Sequence, residues 1–259
     1  MKSTAAKQQA VRALEQNVVG RFSGALHKRF PQHLERDLLQ NFADTTLGAQ
    51  DQSFADYLLA ANARFALIEF KASFLDIRSE VAKPLRQALF KQMVRHDDTL
   101  RRCLDFHFIC WGVTTPVNLS GVSALRETEL INHYAIQVAP FMPVGPDVAP
   151  VEDFSTAAFL DDFLGARLLG GTAERFKVYL NELAALAGGR QGDASTIEGM
   201  VFVFVPGDAR EAGQYMSLRF RGIEELTLYL QMKSPQLEHT PREIEKLKPK
   251  GPTLGGVGF

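Results

Sequence analysis

The chain has almost no cysteine: two residues in 259, Cys103 and Cys110, both within the apolar stretch CLDFHFICW. Neither they nor the six histidines show C-x-x-C or H-E-x-x-H spacing, which argues against structural zinc. Two free thiols in apolar surroundings suit a reducing compartment, so a cytoplasmic location is expected. Read as one strand, CLDFHFICW puts the two thiols on opposite faces, an awkward placement for a bridge or a shared metal. There is no run of about eighteen apolar residues, which argues against a membrane-spanning helix. The opening MKSTAAKQQAVRALEQ enters a charged helical pattern directly, and no secretory signal is predicted. No G-x-x-x-x-G-K-[ST] loop occurs, which argues against an independent ATPase, and Ser120, Ser123 and Ser217 sit in no nucleophile elbow. Net charge is also scarce: a formal −1 excludes a protein that works by blanket attraction to phosphate.

The charge is unevenly spread. Through Gly112 there are 16 Lys and Arg against 12 Asp and Glu, and beyond it 13 against 18. A polyanion is therefore expected to meet the first part of the chain. The length allows one large domain or two small ones. The proline-crowded stretch VAPFMPVGPDVAPVED is the best internal boundary. It suggests an α/β domain over 1–145, an α+β region of unknown role over 146–237 that could continue the first, and a polar, flexible tail over 238–259.

Periodicity predicts a first helix over Thr4 to His27, with Val11, Leu14, Val18, Phe22 and Leu26 on one stripe and Pro31 as the stop. Residues 33–44 fit a short helix or a strand. FADYLLAA (54–61) and RFALIEFKAS (64–73), joined at Asn62-Ala63, form the clearest hairpin. Its second run is apolar on both alternating faces, as in a strand in the middle of a sheet covered by helices. A helix is predicted from Pro84, burying Leu85, Ala88, Leu89 and Met93, with Arg86, Gln87, Lys91 and Arg95 around the other side. A strand is predicted over 101–113, with Asp105 and His107 on one face. Strand, helix and strand imply a crossover and an α/β fold with a mixed central sheet. Downstream, strands are predicted at 129–141, 200–205, 215–221 and 225–232, and helices at 156–168 and 173–187. Ser155 and Thr172 are the candidate caps of these helices, and Gly188-Gly189 follows the second.

Within the hairpin, two acids and a lysine fall together. Glu69 and Lys71 are two apart on one strand and so share a face, and Asp56 lies at the same end of the partner strand. Charges placed directly after a buried run must be paired, sit at the margin of the core, or be used. Asp56 and Glu69 can offer hard oxygen ligands to Mg²⁺ or Mn²⁺ and leave positions open for water and a phosphate oxygen. Lys71 could then orient the attacking water and offset charge in the transition state.

This arrangement resembles the metal-dependent nucleases of the PD-(D/E)xK type, in which an Asp on the second strand is followed by Glu-x-Lys on the third. Here the matching residues are Asp56 in FADYLL and, after twelve intervening residues, Glu69-Phe70-Lys71 in IEFKAS. Ala55 stands where the family's proline would be, and the likeness covers about residues 8–112. The resemblance implies a restriction-endonuclease-like core, Asp56 and Glu69 as metal ligands, and Lys71 as the catalytic lysine. It also implies a further metal ligand from the first helix, Glu15 or, second, Glu35. Gln87 and Lys91 are its candidates for substrate contacts on the helix after the motif. The implied activity is divalent-metal-dependent phosphodiester hydrolysis, with DNA favoured over RNA, and many such enzymes cut duplexes as dimers.

Other features are weaker. His107 and His133 read as hydrogen-bonded core residues. Arg219 and Arg221 flank Phe220 on a solvated strand face, and Lys246, Lys248 and Lys250 could touch a nucleic-acid backbone from the tail. The alternative to an enzyme is a catalytically inactive nuclease-like scaffold that binds protein or nucleic acid. A third reading, a small-molecule hydrolase using the same carboxylates, would need a closed pocket.

Overall fold

A computed structural model describes residues 4–34, 41–47, 55–61, 64–166, 169–187, 197–205 and 214–231. The chain is an α/β protein with an eight-stranded mixed sheet flanked by helices on both faces. Helix α1 (Thr4–Leu34) is followed by the strands β1 (Asn41–Thr46), β2 (Tyr57–Ala61) and β3 (Arg64–Lys71), an antiparallel meander. A 3-10 segment (Phe74–Ala82) and helices α2 (Pro84–Arg95) and α3 (Asp97–Phe106) carry the chain over one face to β4 (His107–Leu119), which pairs parallel to β3. β5 (Val122–His133) returns antiparallel to β4, and α4 (Tyr134–Val138) follows. Beyond 145 the chain gives β6 (Phe154–Ser155), α5 (Thr156–Asp161) with a π-turn, α6 (Ala173–Leu186), β7 (Glu198–Val205), β8 (Gln214–Arg221) and α7 (Gly222–Gln231). The strand order is β6-β5-β4-β3-β2-β1-β7-β8, so these later strands extend the sheet at both edges.

β3 lies mid-sheet because both of its faces are apolar. Ala66, Ile68 and Phe70 pack with Val18, Phe22 and Leu26 of α1 and with Phe159 of α5. Phe65 and Leu67 pack with Leu89, Phe90 and Met93 of α2 and with Phe176 of α6. Period-two alternation along β3 therefore aims Glu69 and Lys71 toward the α2 side.

Several sequence expectations are corrected. α1 runs through Pro31 to Leu34, so the proline lies within the last turn and does not stop the helix where it stands. Its early stripe is not buried: Val11 and Leu14 are 37% and 55% exposed, and the packed face begins at Val18. Residues 101–106 belong to α3 and not to a strand. Asp97 and Asp98 start that helix, and Thr99, Cys103 and Phe106 form its buried stripe. Cys103 therefore lies on a helix and Cys110 on β4, both buried and free. The strand predicted over 129–141 starts earlier, at Val122, and ends at His133. Residues 225–232 fall largely in α7, where Ile223 and Leu226 are buried while Leu228 is 65% exposed. Ser155 caps α5 as predicted, its hydroxyl accepting from the Ala158 N–H at 3.2 Å. The Asn62-Ala63 connection, Gly188-Gly189 and the tail lie outside the described residues. Among the described residues, no helix is long and apolar enough to cross a membrane.

Candidate active site

The pairing register brings the hairpin's charged residues together. Tyr57 pairs with Ile68, so Asp56, one residue ahead of β2, stands beside Glu69. The Phe70 N–H donates to Asp56 Oδ2 at 2.7 Å, which fixes the carboxyl against the end of β3. Lys71 Nζ lies 2.9 Å from Glu69 Oε1. Asp56, Phe70 and Thr46 line a cleft of ≈ 550 Å³ together with Arg12, Glu15, Gln16 and Val19 of α1. The structure thus joins Glu15 to Asp56 across one opening at the end of the sheet. Glu35 lies outside the described residues.

Three residues that the sequence reading did not assign complete the cluster. Glu80, fully buried in the 3-10 segment, sits 2.9 Å from Lys71 Nζ and 2.8 Å from Lys83 Nζ through its Oε1. Lys83, just before α2, also bonds Glu69 Oε1. Arg86, buried on α2, reaches Glu69 Oε2 at 3.4 Å and Glu80 Oε2 at 3.5 Å. The Tyr134 hydroxyl donates to Glu80 Oε2 at 2.7 Å, and the Arg86 guanidinium lies over the Tyr134 ring. The expectation that Arg86 faces away from the core is wrong, and a sequence signal for this existed: Arg86, Leu89, Phe90 and Met93 follow i, i+3, i+4, i+7, the spacing of one buried stripe. Glu80 has no comparable signal, because a 3-10 segment follows neither the strand nor the α-helix period.

Burial and neighbouring charge push the acids in opposite directions. Burial alone would raise Glu69, but Lys71, Lys83 and Arg86 outweigh it and hold the carboxyl well below its usual range. Asp56 is raised to about 7, first by burial and then by the charge of Glu69, with Lys71 and the Phe70 N–H opposing. Glu15 is raised by burial and by Glu69, against the pull of Lys71. For Lys71, Glu69, Glu80 and Asp56 outweigh burial and raise the ammonium above its usual value, so it stays protonated.

No family model matches the chain, and no curated protein or solved structure does.

The remaining candidates separate from this cluster. Gln87 donates to the Val81 carbonyl at 2.6 Å, and Lys91 is exposed one turn further along α2. Asp105 is on α3 and pairs with Arg175 at 2.5 Å, so it does not share a strand face with His107. His107 is a core residue, as read, with Nδ1 2.8 Å from the Tyr179 hydroxyl. His133 Nδ1 meets the Leu104 carbonyl at 2.7 Å. Arg219 and Arg221 are exposed and face Glu198, while Phe220 is buried.

A divalent cation would find hard oxygen donors here. Among the described residues no group of three or more His, Cys, Asp and Glu is gathered to hold a metal. Burial raises Asp56 first and the charge of Glu69 second, and a cation placed between the two carboxyls would relieve the second of these. Glu69 Oε1 is shared between two ammoniums in this arrangement, so a metal there must take the place of one of them.

Proposed function

We propose that the chain hydrolyses phosphodiester bonds of nucleic acid with Mg²⁺ or Mn²⁺ held by Asp56 and Glu69, Glu15 assisting from α1. The observation that carries the reading is the register that sets Asp56 beside Glu69 at the end of β3, with Lys71 bonded to Glu69 and Asp56 opening onto the cleft beside α1, in the order expected from the nuclease resemblance. Asp56 precedes the second strand, Glu69 and Lys71 end the third, Glu15 is on the first helix, and a crossover leads to the parallel fourth strand. The finer fold reading, a restriction-endonuclease-like core, rests on the same order. The preference for DNA over RNA follows from the resemblance alone. The two buried free thiols support a cytoplasmic setting.

The metal, when bound, neutralises phosphate charge and acidifies a water. The residues supply the rest. Lys71 acts as a fixed cation and not as a base, because Glu69 and Glu80 keep it protonated. It orients water and offsets charge developing on the phosphoryl oxygens. Glu80 is a positioning residue: it lies 2.9 Å from Lys71 Nζ and retains it if Glu69 turns to another cation. Arg12 at the cleft wall is the candidate contact to the polymer, while Lys91 and Gln87, which the resemblance suggested, lie on α2 across the sheet from that cleft.

One observation favours the scaffold reading instead: Glu69 is already matched by three cations. Labelled single- and double-stranded DNA and RNA, incubated with the purified chain in Mg²⁺ or Mn²⁺ and in EDTA, separate the two. Metal-dependent cutting is the expected result and identifies the polymer. Retention of nucleic acid with no cutting in any metal would establish the scaffold.

A further inference from the structure

We propose that Lys83 is a resident cation that keeps Glu69 closed to metal until a divalent ion displaces it. The inference rests on the metal-dependent reading above and adds a control to that site. Lys71 Nζ and Lys83 Nζ both contact the same two oxygens, Glu69 Oε1 and Glu80 Oε1, so carboxylate and ammonium alternate around a four-membered ring of charges. Lys83 bridges Glu69 to Glu80 and not to Asp56, so what it holds is the Glu69 oxygen that a metal shared with Asp56 would need.

The two lysines differ in their freedom to leave. Lys71 is 5% exposed and is held at the end of a central strand, so its withdrawal would strand a charge in the core. Lys83 is 42% exposed and sits in extended backbone between the 3-10 segment and Pro84, where rotation of the side chain carries the ammonium into water. When Lys83 leaves, Glu69 still has Arg86 on Oε2, and Lys71 still has Glu80 as counterion. The exchange therefore leaves no buried charge without a partner. A nucleic-acid phosphate offers the displaced ammonium a new partner, so metal and polymer binding should each strengthen the other.

Mn²⁺ binding to the full chain, read by the electron paramagnetic resonance signal of the free ion at neutral pH, tests the exchange without relying on catalysis. Lys83→Ala and Lys83→Gln should bind Mn²⁺ at least about tenfold more tightly than the wild type, because the closed fraction lowers apparent affinity in proportion. Lys83→Arg and the distant, exposed Lys28→Ala should match the wild type. Circular dichroism identifies variants that fold, and the glutamine variant keeps the test open if the alanine one does not. Unchanged or weaker binding in the folded variants, with a wild type that binds Mn²⁺ and cuts, overturns the exchange alone. Absence of Mn²⁺ binding in every protein overturns the metal reading and the exchange with it.

Discussion

Asp56 is held where its charge is disfavoured, and this gives a prediction in which stability and function move in opposite directions. Its folded pKa of about 7 lies above its ordinary 3.8, so between these values the folded chain holds a proton that the unfolded chain releases. Stability from this group is therefore full below about pH 3.8 and is lost as pH rises through about 7. Asp56→Asn should be more stable than the wild type above pH 7, by on the order of 1–2 kcal/mol in urea unfolding. The same variant should slow metal-dependent cutting at least about a hundredfold. His107 has the opposite sign. Burial, with Arg86 adding to it, lowers its pKa well below 6.5, so the unfolded chain gains a proton first as pH falls. Its contribution is full above about pH 6.5 and declines below it. Replacing it by Gln should flatten the loss of stability on mild acidification, followed as melting temperature against pH. At this scale the sequence made part of the site legible. Asp56, Glu69 and Lys71 lie in a short hairpin whose period-two pattern fixes their faces. Glu80 and Lys83 come from an irregular segment that no period describes, and only the fold brings them within 3 Å of Lys71 and Glu69.

At the scale of elements, the close approach of β3 and β4 sets the geometry of the cluster. Gly112 on β4 stands against Ala72, the residue after Lys71, and a Cβ there would meet the Ala72 carbonyl oxygen at 2.6 Å and Val18 at 3.2 Å. Backbone cannot swing aside as a flexible side chain can, so Gly112→Ala should cost about 1–3 kcal/mol in urea unfolding. It should also lower cutting by displacing Lys71, whereas Gly20→Ala, with open space around it on α1, should do neither. The elements that were misread show how packing overrides local pattern. In 101–113 one apolar run contains the end of a helix and the start of a strand, and their boundary at His107 carries no glycine or proline. In α7, Leu226, Leu228 and Leu230 alternate as a strand would. Gly222, at φ 80°, breaks β8 and starts a helix that turns Leu226 inward and Leu228 to solvent.

For the whole molecule, the sheet works as a rigid platform on which one end of β3 is presented to a cleft, with α1 as its wall and the crossover helices beneath the charges. The near-neutral net charge limits unaided affinity for a polyanion, so under the proposed function the platform should need the metal and a few local cations to hold a nucleic acid. Under the proposed function, chemistry occurs at the hairpin. The most direct measurement is the single-turnover cleavage rate of the preferred polymer in Mg²⁺ or Mn²⁺, compared between the wild type and a folded Lys71→Ala variant. Metal-dependent cutting should disappear in the variant while Mn²⁺ is still bound. Cutting that persists at the wild-type rate without Lys71 would contradict this and move the chemistry elsewhere in the molecule.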